Sequence, residues 1–276
     1  MNNYGNLEIY GVGSQSGGRF GKVVIAGSGK ITGDVECDCF ELPGAGKVEG
    51  GGLTVHGPIE IDGSGKVEGA VRGEALEVNG SFKVGNGPCE ISSDLEVNGS
   101  FKVENGPCIV GGKADVSGSF KVAGDLSVGT LAVDGSTKVE GSVSAGEIEV
   151  EGVLKVEGPV QAESFRAEGA VRIDGLLNAE TVELTVSGED RIESIGGGSV
   201  RVRRGGSGFS LFSVQKRPHL SAELIEADEI DLEYTDCRTV RGVNVRIGPE
   251  CVIDRVEYSG SLSTAPDCTV REKIRL

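Results

Sequence analysis

A basic residue followed by a β-branched residue recurs nine times in this chain, at intervals of 17 or 19 residues. A glycine stands three positions before each basic residue, and apolar residues stand five and seven positions before it. Apolar residues two positions apart share one face of a strand, and a period of about 17 is too short for a helical hairpin repeat. The pattern therefore predicts an all-β fold, a single-stranded β-helix (β-solenoid) with 17–19 residues per coil. The nine basic residues are Lys30, Lys47, Lys66, Lys83, Lys102, Lys121, Lys138, Lys155 and Arg172.

The composition agrees with a narrow aliphatic core. Glycine supplies 46 of the 276 residues, aromatic residues make up 4%, and tryptophan is absent. Long helices are disfavoured because each interior glycine costs about 1 kcal/mol relative to alanine. The 8 prolines are too few for collagen. The recurring glycines are expected at the corners, where they permit the backbone geometry of tight bends.

The repeat also divides the chain. Leu7 and Ile9 stand 16 residues before Val23 and Ile25, so the first coil is expected to begin near residue 7. Residues 1–21 form an N-terminal segment and first coil, 22–186 a regular solenoid, 187–218 an irregular basic and glycine-rich loop insertion, and 219–276 the C-terminal coils and tail. We expect roughly 14 coils in all at the observed period.

Charge and cysteine content exclude several functions. With 27 basic and 43 acidic residues the net charge is −16, which disfavours nucleic-acid binding and limits membrane contact to a peripheral one. No apolar run is long enough to span a bilayer, and the first residues do not resemble a signal peptide. Seven cysteines without an export signal predict reduced thiols and a cytoplasmic location.

An acidic residue follows most of the basic residues at a distance of two positions, on the same strand face. Stacked coils would place equivalent lysines about 4.8 Å apart, so a neighbouring acidic column would offset their repulsion. We interpret the two columns as a solvated, self-neutralising ladder; the alternative is a charged stripe for a partner. The acidic residues are Glu49, Glu68, Glu104, Glu140, Glu157 and Asp174.

Candidate metal and thiol sites are few. With only two histidines, a catalytic triad or a histidine-rich metal site is disfavoured. Cys89 and Cys108 are 19 residues apart and Cys251 and Cys268 are 17 apart, so each pair is expected to stack as small buried hydrophobes. The alternative is a thiolate metal site, with Cys37–Cys39 as a second pair.

Two glycine-lysine segments look like fragments of a phosphate-binding loop. Gly27-Ser-Gly-Lys30 and Gly63-Ser-Gly-Lys66 lack the first glycine of that motif and the Ser or Thr after the lysine. We therefore predict no catalytic, cofactor or metal site and no enzymatic activity. A carbohydrate-active β-helix enzyme is the alternative, which requires a carboxylate cluster that interrupts the repeat.

One segment combines positive charge with aromatic residues in a chain that is otherwise acidic and poor in aromatics. It predicts a docking loop for a partner or a membrane surface. A flexible linker, or a hairpin packed on its own solenoid, is the alternative. The candidate residues are Arg201, Arg203, Arg204, Phe209, Leu211, Phe212, Lys216 and Arg217.

Self-association is expected at the two ends of the solenoid. An end coil exposes unpaired backbone groups and core residues, and the sequence shows no helical or strongly polar cap at either end. The candidate interface residues are Leu7 and Ile9 in the first coil and Val270, Ile274 and Leu276 in the last. These ends predict a homopolymer.

The Gly-Lys-Val-x-Gly coils resemble those of the bactofilins, polymer-forming cytoskeletal proteins of bacteria. The segment 222–234, with Val240-Arg-Gly and Val256-Glu-Tyr258, is similar to the longer Gram-positive members. The likeness covers about residues 22–204 and 219–260. It implies a right-handed β-helix that polymerises end to end in the cytoplasm without nucleotide. The apolar N-terminal membrane anchor of many members is not matched by Asn2-Asn-Tyr-Gly5.

The resemblance and the expected open ends together predict a structural, self-polymerising scaffold that supports cell-envelope, cell-shape or motility machinery. Its main partner would be itself, with envelope or motility proteins as further partners, and any membrane association would come through those partners. A monomeric β-solenoid that serves as a binding scaffold is the alternative.

Overall fold

A computed structural model describes residues 4–205 and 218–276 of the chain. The contacts divide the chain into two units, residues 1–141 and residues 142–276, which are described separately. Every regular element in the described residues is a β-strand, and the strands stack in parallel as a β-solenoid of about 15 turns. The predicted fold class is confirmed.

The first unit contains seventeen strands. They are β1 (Leu7–Ile9), β2 (Val12–Ile25), β3 (Ser28–Leu42), β4 (Ala45–Glu49), β5 (Leu53–Val55), β6 (Pro58–Ile61), β7 (Ser64–Val67), β8 (Val71–Gly73), β9 (Ala75–Val78), β10 (Ser81–Asn86), β11 (Cys89–Ile91), β12 (Leu95–Val97), β13 (Ser100–Asn105), β14 (Cys108–Val116), β15 (Ser119–Val122), β16 (Leu126–Val133) and β17 (Ser136–Val139).

The described residues of the second unit form nine strands, several of which run through a corner from one side of the solenoid to the next. They are β18 (Val143–Val150), β19 (Val153–Val156), β20 (Val160–Ala167), β21 (Ala170–Val186), β22 (Glu189–Arg204), β23 (His219–Leu232), β24 (Thr235–Ile247), β25 (Val252–Thr264) and β26 (Thr269–Arg275).

Each turn of the first unit has three sides, and each side is a parallel stack in which equivalent repeat positions are in register. Lys83, for example, pairs with Lys66 in one neighbouring turn and with Lys102 in the other. Face 1 contains residues 7–9, 23–25, 40–42, 59–61, 76–78, 95–97, 114–116 and 131–133. Face 2 contains 12–16, 28–32, 45–49, 64–67, 81–84, 100–103, 119–122 and 136–139. Face 3 contains 18–20, 35–37, 53–55, 71–73, 89–91, 108–110 and 126–128.

The glycine of each repeat lies at the corner between face 1 and face 2. A Cβ added at Gly99 would collide with the carbonyl oxygen of Gly80 in the preceding turn, and one added at Gly80 would collide with the carbonyl of Gly63. These glycines do not have the positive φ that tight bends can require. Glycine is needed at this corner for the close approach of one turn to the next, whereas the expected role in backbone bending applies between face 2 and face 3, where Gly33 and Gly50 have positive φ.

Core volume is conserved along the first unit by paired substitutions. Gly29 on face 2 leaves space for Ile25, four residues earlier on face 1, because an added Cβ would lie 2.7 Å from the isoleucine Cγ2. Where face 2 carries Phe101 instead, the residue four positions earlier is the smaller Val97. Such compensation keeps a core close-packed. The ring centroids of three phenylalanines stack 5.6 and 5.3 Å apart: Phe82, Phe101 and Phe120.

Residues 189–204 belong to the stack. β22 pairs with β21 along one edge and with β23 along the other, and the carboxylate of Asp190 is buried and accepts a hydrogen bond from the Val171 amide at 2.8 Å. The predicted loop insertion from residue 187 is therefore wrong for this segment. Gly188, Arg191 and Ile192 continue the repeat 19 residues after Arg172, and Gly197 is needed because an added Cβ would collide with the carbonyl of Ala179.

Candidate functional site: charged ladders and terminal strands

The expected ion-pair ladder is present on face 2 of the first unit. Lys47 Nζ lies 2.7 Å from Glu49 Oε1 in its own turn and 2.7 Å from Glu68 Oε1 in the next, and Glu49 also pairs with Lys30. Hydrogen bonds from Lys30 and Lys47 lower the pKa of Glu49 to about 2. Ion pairs therefore join the two columns at Lys30 and Lys47, as a self-neutralising ladder requires. Similar pairs join Lys102 to Glu104, Lys121 and Lys138 to Glu140, and Lys155 to Glu157.

A column of acidic residues lies on face 1, and sequence reasoning did not identify it. Glu60 and Glu77 are in register, as are Glu77 and Glu96, and the side chain between the two buried apolar residues of each strand points outward. The signal was available in the sequence as the middle residue of the apolar-x-apolar pair. The column continues to Glu41 on one side and to Asp115 on the other.

Two asparagines organise the carboxylates of this acidic column. Asn79 Nδ2 donates hydrogen bonds to Glu77 Oε1 at 2.7 Å and to Asp62 Oδ1 at 2.9 Å, and Asn98 Nδ2 donates to Glu96 Oε1 at 2.8 Å. A hydrogen bond of 2.9 Å from Asn98 to Asn79 joins the two turns. The amides therefore hold the acidic side chains in a regular array without neutralising their charge.

The three arginines of the predicted docking loop lie in β22. Arg201 Nη1 is 3.2 Å from Glu183 Oε1, and Arg203 pairs with Asp231, which holds the pKa of Arg203 above its ordinary value. These arginines are engaged within the stack, so their predicted position in a loop is wrong. Phe209, Leu211, Phe212, Lys216 and Arg217 lie outside the described residues.

The last of the three arginines contacts the aromatic ring of a neighbouring turn. The Arg204 guanidinium lies 5.2 Å from the centroid of the Tyr234 ring, and its Nη1 donates a 3.2 Å hydrogen bond to the tyrosine oxygen. Cation–π contacts of this kind stabilise a packed arrangement. Arg204 therefore connects neighbouring turns in the same way as Arg201 and Arg203.

The N-terminal edge of the first unit is open, although its apolar candidates are covered. β1 pairs with β2 alone among the described strands. Leu7 and Ile9 are each only 7% exposed, so they do not present the apolar surface expected of them. The exposed apolar residues beside them are Tyr10 and Val12, at 72% and 94%.

The C-terminal edge of the second unit is more polar than expected. Within the described residues β26 pairs with β25 alone, and Val270 and Ile274 are half-buried while Leu276 is 69% exposed. Lys273 is in register with the fully buried Val256, and its Nζ lies 3.4 Å from Thr264 Oγ1. A cation therefore follows the last valine of this core column, and the expectation that neither end has a polar cap is wrong for this end.

The first pair of stacked cysteines is packed in the core, whereas in the second pair Cys251 is buried and Cys268 is only half-buried. Cys89 and Cys108 are in register in adjacent turns, are both fully buried and are free thiols. Burial raises the pKa of Cys37 to about 12, whereas the half-buried Cys39 has its Sγ 3.7 Å from Glu41 Oε1. Within 4–205 and 218–276, no group of three or more His, Cys, Asp or Glu side chains could hold a metal ion.

The remaining sequence candidates also have structural contacts. Lys30, from the first phosphate-loop-like segment, forms an ion pair with Glu49, and His56 Nε2 lies 3.2 Å from Glu36 Oε1 on the solvent-exposed side of face 3. No helix in the described part of the chain is long and apolar enough to cross a membrane.

The parallel stack of turns defines this chain as a β-solenoid protein whose most regular surface features are ladders of charged side chains. No family model matches the chain, and no solved structure matches it. Over 90 residues it is 39% identical to "Uncharacterized protein YhbE" of Bacillus subtilis (strain 168), which covers 33% of this chain and 38% of that protein. Over 85 residues it is 38% identical to "Uncharacterized protein YhbF" of the same organism, which covers 31% and 34%. The match therefore spans little more than a third of either relative.

Proposed function

We propose that this chain is a structural, self-polymerising cytoskeletal or scaffold protein that assembles end to end without nucleotide. The observation that carries the proposal is the backbone edge at β1 and at β26, each of which pairs with one neighbour only among the described strands. An exposed edge of this kind is a template for a strand of another chain. We take a second copy as the partner, because its own turns are stacks of parallel strands.

The likeness of the coils to those of bactofilins supports the same proposal. It adds a cytoplasmic location, a right-handed coil and a role in supporting cell-envelope, cell-shape or motility machinery. The proposed function needs no catalytic residue or cofactor. The free energy of end-to-end association would come from backbone hydrogen bonds and from apolar surface buried between end turns.

The N-terminal edge offers a specific test. Gln15 is exposed and in register with Ile31, a fully buried core residue, so the Gln15 side chain lies where an added turn would continue the core. Gln15→Lys would place a charge in that junction. Ser14→Lys adds the same charge at the adjacent residue, whose side chain lies on the outer side, in register with Lys30 of the following turn. It is the matched control.

Electron microscopy of the purified full chain in nucleotide-free buffer measures the outcome. We expect filaments from the unaltered chain and from Ser14→Lys, and shorter or no filaments from Gln15→Lys. Single particles of the unaltered chain at high concentration would contradict the proposal. So would filaments of unchanged length from Gln15→Lys.

A monomeric binding scaffold is the second candidate, and the contact between Lys273 and Thr264 favours it. This contact places a cation at the end of the C-terminal core, which disfavours the addition of an apolar turn. Lys273→Val discriminates between the two functions, since only a chain that adds copies at this end would form longer filaments after the substitution. If filament length were unchanged, assembly would not use the C-terminal edge.

A further inference from the structure

The acidic column of face 1 lacks cations at its centre. Lys22 pairs with Glu41 at one end of the column and Lys113 pairs with Asp115 at the other. Among the residues that the structure describes, no lysine or arginine nitrogen comes within ion-pair distance of the three central carboxylates. These are Glu60, Glu77 and Glu96.

The same three turns carry three lysines but only two glutamates on face 2, and Lys102 is paired with Glu104 at 2.9 Å. Lys66, Lys83 and Lys102 are in register, but Gly85 occupies the position where the neighbouring turns carry a glutamate. Lys83 has no carboxylate within ion-pair distance in the described ranges. The nearest partner of Lys66 is Glu104, at 3.9 Å.

The glutamate column of face 1 and the lysine column of face 2 have the same spacing because the same turns carry both. Adjacent strands lie about 4.8 Å apart, so three glutamates and three lysines repeat at the same interval on two adjoining sides. Serines stand two positions before the lysines, at 64, 81 and 100, and leave the lysine column accessible. Asn79 and Asn98 hold Glu77 and Glu96 in position for an approaching cation.

We propose that face 2 of one copy docks side by side on face 1 of a second copy, so that Lys66, Lys83 and Lys102 meet Glu60, Glu77 and Glu96. The partner is a second copy because it alone is certain to present the complementary charges at the same spacing. The two contacting surfaces differ, so the contact is heterologous and leaves both outer faces free to add further copies. The product is a lateral array.

This lateral contact is independent of the end-to-end pairing proposed above. It uses the outer sides of the turns between β6 and β13, whereas end pairing uses β1 and β26. Exposed ion pairs are individually weak and are screened by salt, so the array depends on several pairs forming together. Lateral association would change the width of assemblies, and end pairing would change their length.

Charge reversal on each face tests the contact with matched partners. One variant carries Glu60→Lys and Glu77→Lys, and the other carries Lys66→Glu and Lys83→Glu. Each variant alone would bring like charges together at every lateral contact, so side-by-side association should be lost. An equimolar mixture of the two variants restores opposite charges at every contact and should restore the array.

The control variant carries Glu36→Lys and Glu90→Lys, which makes the same change in net charge on face 3 and should leave lateral association intact. Circular dichroism verifies that all variants remain folded. Width is measured by electron microscopy, and association by sedimentation at ionic strengths of about 0.01 M and about 1 M, where the Debye length falls from about 30 to about 3 Å.

The proposal predicts arrays of the unaltered chain at low salt, their loss at high salt and their recovery in the mixture. It would be overturned if the unaltered chain formed no lateral species at low salt, if the mixture failed to recover them, or if the face 3 control lost them equally. If the unaltered chain formed lateral arrays but no long filaments, the end pairing proposed above would be contradicted and the lateral contact would stand.

Discussion

At the scale of single residues, the repeat is determined by clearance between turns as much as by hydrophobicity. The corner glycines have ordinary backbone angles, but a side chain at Gly99 would occupy the space of the Gly80 carbonyl oxygen. The carbonyl belongs to the backbone of a stacked turn and can move only if the stack separates. The positions of these glycines could be predicted from the sequence pattern. Their physical role could be identified only from the distance between stacked turns.

Gly99→Ala should therefore lower the free energy of unfolding by about 1–3 kcal/mol, the usual cost of overpacking. Gly188→Ala is the matched control, because an added Cβ there meets nothing within 4 Å. Urea denaturation followed by circular dichroism measures both. Equal effects of the two substitutions would contradict the clearance argument.

The ladder carboxylates make stability depend on pH. Lysine partners lower the pKa of Glu49 from 4.5 to about 2 and hold the pKa values of Glu68, Glu104 and Glu140 below their ordinary value. A carboxylate with a lower pKa in the folded state stabilises the fold above its unfolded pKa, and that stabilisation is lost as the pH falls through the folded pKa.

We expect the urea midpoint to be constant near neutral pH and to fall between about pH 4.5 and pH 2, the window defined by Glu49. Glu49→Gln should have a lower midpoint than the unaltered chain at pH 7 and a smaller further fall in acid. A midpoint independent of pH in this window would show that the ladder does not contribute to stability.

At the scale of elements, the predicted and observed structures agree from β3 to β17 and differ at β22. The turns from β3 to β17 follow the repeat, so their strands and register could be predicted from it. The start of β22 also follows the repeat, at Arg191 and Ile192, but Gly196-Gly-Gly198 resembles a loop in sequence while its backbone pairs with β21 and β23. The burial of Leu7 and Ile9 and the polar C-terminal edge likewise depend on neighbouring residues that the repeat does not specify.

The assignment of β22 can be tested by placing a charge on its buried side. Val200 is 1% exposed, so Val200→Asp should destabilise the chain by about 3–5 kcal/mol, the cost of an unpaired buried charge. Arg191→Asp introduces the same side chain at an exposed position of the same strand and should cost less than about 1 kcal/mol. If both substitutions caused equally small losses of stability in thermal denaturation, the assignment of this segment to a buried strand would be wrong.

At the scale of the whole molecule, the chain carries a net charge of −16 that is unevenly distributed. Copies repel one another at long range, and salt screens this repulsion. End pairing through backbone edges should therefore strengthen as salt is added. The lateral contact between the lysine column of face 2 and the glutamate column of face 1 should weaken. The opposite salt responses separate the two modes of association.

Sedimentation velocity of the purified full chain in nucleotide-free buffer, over a wide range of concentration, tests the central claim of self-association most directly. We expect species that grow with protein concentration, and smaller species from Gln15→Lys than from Ser14→Lys. A single monomeric species at every concentration and salt level would contradict it.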